Sequence, residues 1–248
     1  MNLTIKNLTK HFGGNTALNN STLTLKPECI NLLIGANGSG KTTMTNCISG
    51  LLPADDGSVY FCDKNITNKP IHEIFQIGLI RTFQTPRLFA NLSVFENIML
   101  ARNNPGESFW RALLYKTWQN QENNTAKKAL DILEQLSLLN LKNKLAYDLS
   151  GGQIKLLEIG KTLMSDAKLV ILDEPIAGIN PTLAHTIFKQ ISNICTKQKT
   201  TFLIIEHRLD IALKYADHVF VLDGGTIIAD DIPEKILQNK KVIESYLK

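Results

Sequence analysis

The sequence predicts an α/β fold with a helical insertion, and two patterns in its 248 residues carry that prediction. First, short apolar runs of strand length alternate with helical patterns in residues 29–48 and 168–205, which is typical of a sheet with buried, parallel strands. Second, residues 85–150 contain long helical patterns and no convincing strand. We therefore expect an α/β core that a helical segment interrupts.

The composition is that of an ordinary globular protein. Charged residues make up 20% of the sequence and hydrophobic residues 44%, so neither a disordered nor a fibrous class is indicated. The length allows one large domain or two small ones. The net charge of +4 is mild and the lysines are spread along the chain, so nucleic acid is not an expected partner. A basic surface that meets membrane lipid or an acidic protein stays an open alternative.

The cysteines and the apolar runs indicate in which cellular compartment the protein is expected. The four cysteines are scattered, without a C-x-x-C pair or a Cys/His cluster, which argues against structural zinc and a disulfide framework and favours a reducing cytosol. The first residues lack the apolar core of a signal peptide. No apolar run approaches the roughly 20 residues that span a bilayer. Any membrane role is therefore expected to come through a partner.

The N-terminal residues predict a β region. Residues 3–5 and 21–25 alternate polar and apolar side chains as strands do. Between them, residues 11–15 combine Phe12 with two glycines, which predicts a loop. Phe12 could stack on an adenine ring or pack into the core, and this region by itself leaves both interpretations open.

Residues 35–43 match the phosphate-loop pattern G-x-x-x-x-G-K-[ST] at every required position. An apolar strand precedes them and a helix follows, so backbone N–H groups can converge on phosphates at the positive end of that helix. Lys41 supplies a cation for the β- and γ-phosphates, and the Thr42 hydroxyl is a ligand for Mg²⁺. The predicted nucleotide-binding residues of this loop are Gly35, Asn37, Gly38, Ser39, Gly40, Lys41, Thr42 and Thr43.

The helical segment contains one aromatic-rich stretch. Residues 108–118 hold both tryptophans together with other apolar residues and a few cations. Packing within the helical layer is the favoured interpretation, and contact with a membrane-embedded partner is the alternative.

A second predicted anion site follows the helical segment. In Leu149, Ser150, Gly151, Gly152 and Gln153, two adjacent glycines stand between a hydroxyl and an amide, directly before a helical pattern. A helix that starts there would present free backbone N–H groups to an anion.

Two carboxylates end the apolar strand of residues 169–172, at the edge where open α/β sheets bind their ligands. Asp173 can hold Mg²⁺ through its water shell, and Glu174 can accept a proton from an attacking water. The alternative is that both residues merely end a strand. The next apolar strand ends before His207, which can donate a hydrogen bond to a γ-phosphate or be structural.

Taken in order along the chain, these motifs resemble the nucleotide-binding subunits of ABC transporters over essentially the whole sequence. The resemblance implies an α/β P-loop NTPase fold with a RecA-like core, an N-terminal antiparallel β region and an inserted α-helical subdomain. It also implies one ABC ATPase domain over residues 1–248, with a catalytic core at 1–84 and 155–248 and a helical subdomain at 85–154.

The resemblance assigns roles to the same residues. Phe12 matches the aromatic residue that stacks on adenine, and Gln84 matches the glutamine that contacts Mg²⁺ or water and couples the site to the helical subdomain. Asp173 is the implied metal-side carboxylate, Glu174 the catalytic base and His207 the γ-phosphate contact. The loop that the resemblance implies would complete the ATP site of a second subunit comprises Ser150, Gly151, Gly152 and Gln153.

A narrower resemblance is to the ATP-binding subunits of branched-chain amino acid importers, seen in residues 11–14, 80–84, 177–181 and 205–207. Urea and amide importers and the lipopolysaccharide export ATPase are related alternatives, and a soluble ABC ATPase without a permease is another. Asn180 agrees with the narrower subgroup. Ala36, Leu156 and Lys161 depart from common family residues, the last two where arginines are frequent.

The implied function is an ATPase that uses ATP and Mg²⁺ and powers a membrane permease. Its implied partners are transmembrane permease subunits, a second ATPase subunit in a homodimer or heterodimer, and indirectly a substrate-binding protein. We expect a cytoplasmic protein that is peripheral on the inner face of the membrane.

Overall fold

The computed structural model describes residues 3–82, 88–102 and 115–246. The chain divides into two compact units. The first comprises Met1–Arg81, Lys168–Pro175 and Ile191–Lys248, and the second comprises Thr82–Ala167 and Ile176–Gln190.

The described chain contains ten strands and nine α-helices. The strands are β1 (Leu3–Phe12), β2 (Asn15–Thr24), β3 (Ile30–Ile34), β4 (Asp56–Phe61), β5 (Lys64–Asn65), β6 (Leu79–Arg81), β7 (Leu169–Asp173), β8 (Thr201–Ile205), β9 (His218–Asp223) and β10 (Thr226–Asp231). The helices are α1 (Lys41–Ile48), α2 (Ile71–Gln76), α3 (Val94–Met99), α4 (Tyr115–Gln135), α5 (Gly151–Met164), α6 (Pro181–Gln198), α7 (Leu209–Ala212), α8 (Pro233–Ile236) and α9 (Lys240–Tyr246).

The first unit contains two sheets. The larger sheet has the order β10-β9-β3-β8-β7-β6, and its strands are parallel except for the antiparallel edge strand β10. The smaller sheet has the antiparallel order β2-β1-β4-β5. In the larger sheet, the parallel direction brings the carboxyl ends of β3, β7 and β8 to one edge, where such sheets bind ligands. The predicted α/β class is confirmed.

The central strands of the larger sheet are buried on both faces. Every residue of β3 and of β8 is buried, as the continuous apolar runs in the sequence predict for parallel strands covered by helices. Burying such side chains contributes about 1.5–3 kcal/mol each, which makes these strands a rigid support for the loops that follow them.

The N-terminal strands are longer than the sequence patterns indicate. We predicted a loop at residues 11–15, whereas β1 continues to Phe12 and β2 begins at Asn15, leaving a two-residue turn. The pairing of β1 with β2 shifts register between Ile5 and Leu8 and again between Leu8 and His11. These bulges interrupt the two-residue alternation by which a strand is recognised in sequence.

The second unit is mainly helical in its described residues. Ser93 caps α3 through a capping box with Glu96, in which Ser93 N donates to Glu96 Oε2 at 2.7 Å. The buried Asn97 donates to the Phe89, Leu92 and Ser93 carbonyls and fixes the entry into the helix. A Cβ at Gly160 of α5 would lie 2.9 Å from Leu136 Cδ1, so glycine permits close packing there.

The aromatic-rich stretch at residues 108–118 lies outside the residues whose side chains the structure describes. Both interpretations of it therefore remain predictions. Among the described helices, none has the length and apolar character to cross a membrane.

The four cysteines differ in burial, which predicts their reactivity. Burial raises the pKa of Cys47 to about 11 and that of Cys195 to about 12, whereas Cys29 and Cys62 are partly exposed. Because only the thiolate reacts, we expect Cys47 and Cys195 to be alkylated at least about a hundred times more slowly than a free cysteine at pH 8. Mass spectrometry of the native protein after timed iodoacetamide labelling measures these rates, and early modification of Cys195 would contradict the packing of α6.

Candidate nucleotide-binding site

The phosphate loop joins β3 to α1, as the motif predicts. Gly40, the residue before α1, has φ +106°, and a Cβ there would lie 2.4 Å from the Ala17 carbonyl oxygen. Glycine is therefore required at this position both by its backbone conformation and by space. Within the described part of the chain, no side chain caps the start of α1, and no acidic residue stands in its first turn, so its N–H groups suit an anion.

Two buried polar groups of this loop fit a phosphate ligand. The Ser39 hydroxyl is buried and has no hydrogen-bond partner among the described residues, although a buried hydroxyl normally has one. Lys41 is 6% exposed, and its Nζ donates to the Gly35 and Ala36 carbonyls at 2.8 and 2.9 Å. The loop thus holds a cation and an unpaired hydroxyl beside the N-terminus of α1.

Burial lowers the pKa of the Lys41 ammonium, and the nearby Glu174 and Asp173 carboxylates oppose that shift. The three charged groups therefore interact, although they come from residues more than 130 positions apart in a chain of 248. This interaction places the strand-end carboxylates with the phosphate loop, as expected where parallel strands end together.

Asp173 is the last residue of β7, and its Oδ2 accepts a hydrogen bond from Arg81 Nη2 at 2.9 Å. Glu174 follows with φ +49°, a left-handed conformation that costs a glutamate of order 1–3 kcal/mol. The Glu174 N–H donates to the Ile205 carbonyl at the end of β8, at 2.9 Å. That hydrogen bond holds the strained residue against the neighbouring strand.

Glu174 and His207 contact each other. His207 Nε2 lies 3.2 Å from Glu174 Oε1, and the two side chains are 44% and 24% exposed. The His207 N–H donates to Glu206 Oε2 at 3.1 Å, and the His207 carbonyl accepts from Leu209 N at 3.1 Å. A carboxylate and an imidazole in this arrangement, both accessible to water, can move or hold a proton.

Phe12 ends β1 and is 50% exposed, so the core does not enclose its ring. Lys10 Nζ lies 5.7 Å from the ring centroid. Lys10 itself pairs with Asp55 at 2.6 Å, and Asp55 also accepts from the His11 N–H. These contacts fix the end of the strand while leaving ring surface available for stacking.

The second predicted anion site begins a helix of the second unit. Ser150 is the N-cap of α5, and Gln153 closes a capping box in which Ser150 N donates to Gln153 Oε1 at 3.0 Å. A Cβ at Gly151 would meet nothing within 4 Å, whereas one at Gly152 would lie 2.0 Å from Leu183 Cδ2. The fold therefore uses Gly152 for packing and gives no structural reason for a glycine at 151.

The remaining positions singled out in the sequence are Gln84, Asn180, Leu156 and Lys161. Gln84 lies outside the described residues, so its roles in binding the metal and in coupling stay predictions. Asn180 Oδ1 accepts from Leu183 N at 2.9 Å and thereby caps α6. Of the two departures from common family residues in α5, Leu156 is buried in the core and Lys161 Nζ lies 5.9 Å from the Phe89 ring centroid.

The sequence patterns assigned no role to Arg81, although it contacts Asp173. One signal in the sequence could have identified Arg81. It is a charged residue at the end of the otherwise apolar strand β6, which pairs with β7, the strand that ends at Asp173. Buried arginines are uncommon unless they are paired.

The donor set suits Mg²⁺ bound together with a nucleotide. Within the part of the chain that the structure describes, no group of three or more His, Cys, Asp or Glu side chains could hold a metal alone. A hydroxyl at Thr42 and a carboxylate at Asp173 provide hard oxygen ligands, and Mg²⁺ commonly combines one or two such ligands with phosphate oxygens and water.

Comparisons with known proteins agree with this architecture. A family model described as "ABC transporter" matches residues 18–177. A crystal structure of the ADP conformation of an ATP-binding cassette of an ABC transporter superposes with a TM-score of 0.86 at 44% identity, covering 100% of this chain and 99% of that one. The chain therefore belongs to the ABC transporter family, and the predicted fold and family resemblance are confirmed.

Two curated relatives define the type of subunit. The chain is 46% identical over 245 residues to the "Probable branched-chain amino acid transport ATP-binding protein LivG" of Archaeoglobus fulgidus, covering 99% of this chain and 95% of the relative. It is 34% identical over 247 residues to the "High-affinity branched-chain amino acid transport ATP-binding protein LivG" of Escherichia coli K12, covering 99% and 97%. Both relatives are named as transport proteins of this family, and the predicted class, an ABC ATPase, is confirmed.

Proposed function

We propose that this chain hydrolyses ATP to power a permease that imports branched-chain or related amino acids. The observation that carries the ATPase chemistry is the contact of Glu174 with His207 at 3.2 Å, with the Lys41 ammonium interacting with the same carboxylate. The substrate class is supported by full-length relatives at 46% and 34% identity, whose names specify branched-chain amino acid transport.

In the proposed binding step, the ATP phosphates occupy the loop of residues 35–43. Lys41 exchanges its hydrogen bonds to the Gly35 and Ala36 carbonyls for the β- and γ-phosphates, since charged acceptors make the stronger bonds. The unpaired Ser39 hydroxyl gains a partner at the same time. Phe12 stacks on the adenine.

Thr42, Asp173 and Gln84 would hold Mg²⁺, which when bound neutralises charge on the β- and γ-phosphates. In the hydrolytic step, Glu174 orients the attacking water and accepts its proton. His207 donates to the γ-phosphate. The strained backbone of Glu174, held by the Ile205 carbonyl, keeps the carboxylate at a fixed place at the sheet edge.

Ser150, Gly151, Gly152 and Gln153 are proposed to complete the ATP site of a second subunit, which is either a copy of this chain or a similar ATPase. The start of α5 supplies the backbone N–H groups for that contact. ATP would then join two subunits. Hydrolysis would release them by removing the γ-phosphate charge that both subunits contact. Residues 1–84 and 155–248 form the proposed catalytic core, and residues 85–154 the helical subdomain.

Gly151 tests the dimer proposal because the fold does not need a glycine there. A Cβ at 151 meets open space and the residue does not have a positive φ, so Gly151→Asp is expected to fold with an unchanged melting temperature. An added carboxylate facing a γ-phosphate is expected to lower ATPase activity at least about tenfold, because like charges repel in a closed site.

ATPase rates and light scattering in ATP measure that outcome, with Gly151→Ala as the control for added volume. If Gly151→Asp retains both ATP-dependent dimerisation and the parent rate, residue 151 does not face a nucleotide and the dimer proposal is wrong.

The proposed partners are the transmembrane permease subunits, with a substrate-binding protein acting indirectly, and the proposed location is the cytoplasmic face of the membrane. Affinity capture of the tagged full-length chain from detergent-solubilised membranes tests this proposal by mass spectrometry. We expect recovery of an amino acid importer permease. Recovery of a lipopolysaccharide export permease, or recovery of no membrane protein, would contradict it.

A further inference from the structure

Arg81 connects two parts of the nucleotide site within the first unit. Its Nη2 donates to Asp173 Oδ2 at 2.9 Å, and its Nη1 donates to Asn46 Oδ1 at 2.6 Å. Nη1 also lies 3.3 Å from the Ser49 hydroxyl. Asn46 belongs to α1, the helix that begins with Lys41. One guanidinium therefore joins the helix of the phosphate loop to the carboxylate at the end of β7.

This arginine is buried at a cost. The Arg81 and Asp173 side chains are 7% and 12% exposed, and among the described residues no partner accepts from Arg81 Nε. Taking a guanidinium and a carboxylate out of water is unfavourable, and their mutual attraction offsets this desolvation only when the geometry is good. An apolar pair would hold β6 to β7 without that cost, so simple packing does not account for the arrangement.

The arrangement restricts Asp173. Because Oδ2 is engaged by a guanidinium that α1 also holds, the carboxylate cannot turn freely, and Oδ1 is not used by Arg81. Carboxylates that bind metals are usually oriented by such outer contacts, and loss of the contact typically lowers metal affinity or activity about 10–100-fold.

We propose that Arg81 is a positioning residue that fixes the orientation of Asp173 relative to α1 and thereby sets how strongly nucleotide binding depends on Mg²⁺. The proposal rests on the proposed function, in which Asp173 is the metal-side carboxylate. In a purely structural role, Arg81 would only hold β6, β7 and α1 together and would not change how nucleotide binding depends on Mg²⁺.

The test compares two affinities of the purified full-length chain for a non-hydrolysable ATP analogue. Calorimetry measures one affinity in excess Mg²⁺ and the other in EDTA. The affinity in Mg²⁺ divided by the affinity in EDTA reports the coupling between metal and nucleotide. Arg81→Met is expected to lower this ratio about tenfold. A purely structural role would lower both affinities by the same factor, and an unchanged ratio overturns the proposal.

Asn46→Ala provides a variant that leaves the ion pair in place. It removes the hydrogen bond to Arg81 Nη1 without touching Asp173, so it is expected to lower the ratio about threefold, as the loss of one modest hydrogen bond does. If Arg81→Met fails to fold, Asn46→Ala is tested in its place. An unchanged ratio in Asn46→Ala then overturns the proposal. Lys69→Met, which breaks an exposed ion pair with Glu73, is the control and should leave the ratio unchanged.

A double-mutant cycle separates action through Asp173 from any other action. In an Asp173→Asn background, Arg81→Met should produce no further fall in the ratio, because the carboxylate it positions is already gone. A further tenfold fall in that background overturns the proposal.

The outcomes also separate this inference from the proposed function. If the parent chain binds no nucleotide, the proposed function fails and the inference fails with it. If the parent binds the analogue more tightly with Mg²⁺ while Arg81→Met and Asn46→Ala keep the parent ratio, only the role of Arg81 is wrong.

Discussion

Replacing Glu174 with Gln is expected to lower ATP hydrolysis by about 10²–10⁴-fold, because an amide cannot accept the proton of the attacking water and a general base contributes that much. ATP binding should remain within a few-fold of the parent value, since Lys41 and the N-terminus of α1 are untouched. With hydrolysis blocked, ATP should hold two subunits together. The phosphate-release rate and the mass in ATP by size-exclusion chromatography with light scattering measure both effects.

Glu73→Gln is the matched control for this change. Glu73 carries the same chemical group on an exposed i,i+4 ion pair with Lys69, so its replacement should alter the rate by less than twofold because such surface pairs contribute little. Hydrolysis at the parent rate in Glu174→Gln would show that another group accepts the proton.

Replacing Lys41 with Ala is expected to weaken ATP binding at least about a hundredfold. The change removes a cation that can make two charge-assisted hydrogen bonds to phosphate, each contributing about 1.5–3 kcal/mol. The nucleotide-free protein should lose little stability, because removing a buried ammonium also relieves the desolvation that lowers the Lys41 pKa.

Thermal unfolding with and without Mg-ATP measures the effect, because a ligand that binds only the folded state raises its melting temperature. The parent should show an ATP-dependent increase and Lys41→Ala should show none. Lys69→Ala, at an exposed lysine, should keep the full increase. An unchanged increase in Lys41→Ala would be incompatible with nucleotide binding in this loop.

The sequence was most informative where the functional residues are contiguous. The phosphate loop could be recognised because its glycines, lysine and threonine occur at fixed spacing within nine residues, and their conformation depends on a local strand-to-helix turn. The Ser150 to Gln153 loop was recognisable for the same reason, since its hydroxyl, two glycines and amide follow one another directly before a helical pattern. The buried strands β3, β7 and β8 followed from continuous apolar runs.

Sequence patterns were least informative where bulges or distant contacts decide the structure. The lengths of β1 and β2 were underestimated because register shifts break their alternation. The need for glycine at 152 but not at 151 could not be foreseen, since it depends on the position of Leu183. The cap that Asn180 supplies to α6 likewise depends on where that helix begins.

By itself, then, the sequence determined the nucleotide chemistry, the α/β class and the family, because each depends on short motifs and local periodicity. Only the tertiary structure decided which groups meet around them. The Arg81 to Asp173 pair joins residues 92 positions apart, and Glu174 meets His207 because β7 and β8 are parallel neighbours in one sheet. Pairing of strands brings such residues together, and no local pattern encodes the order in which strands pair.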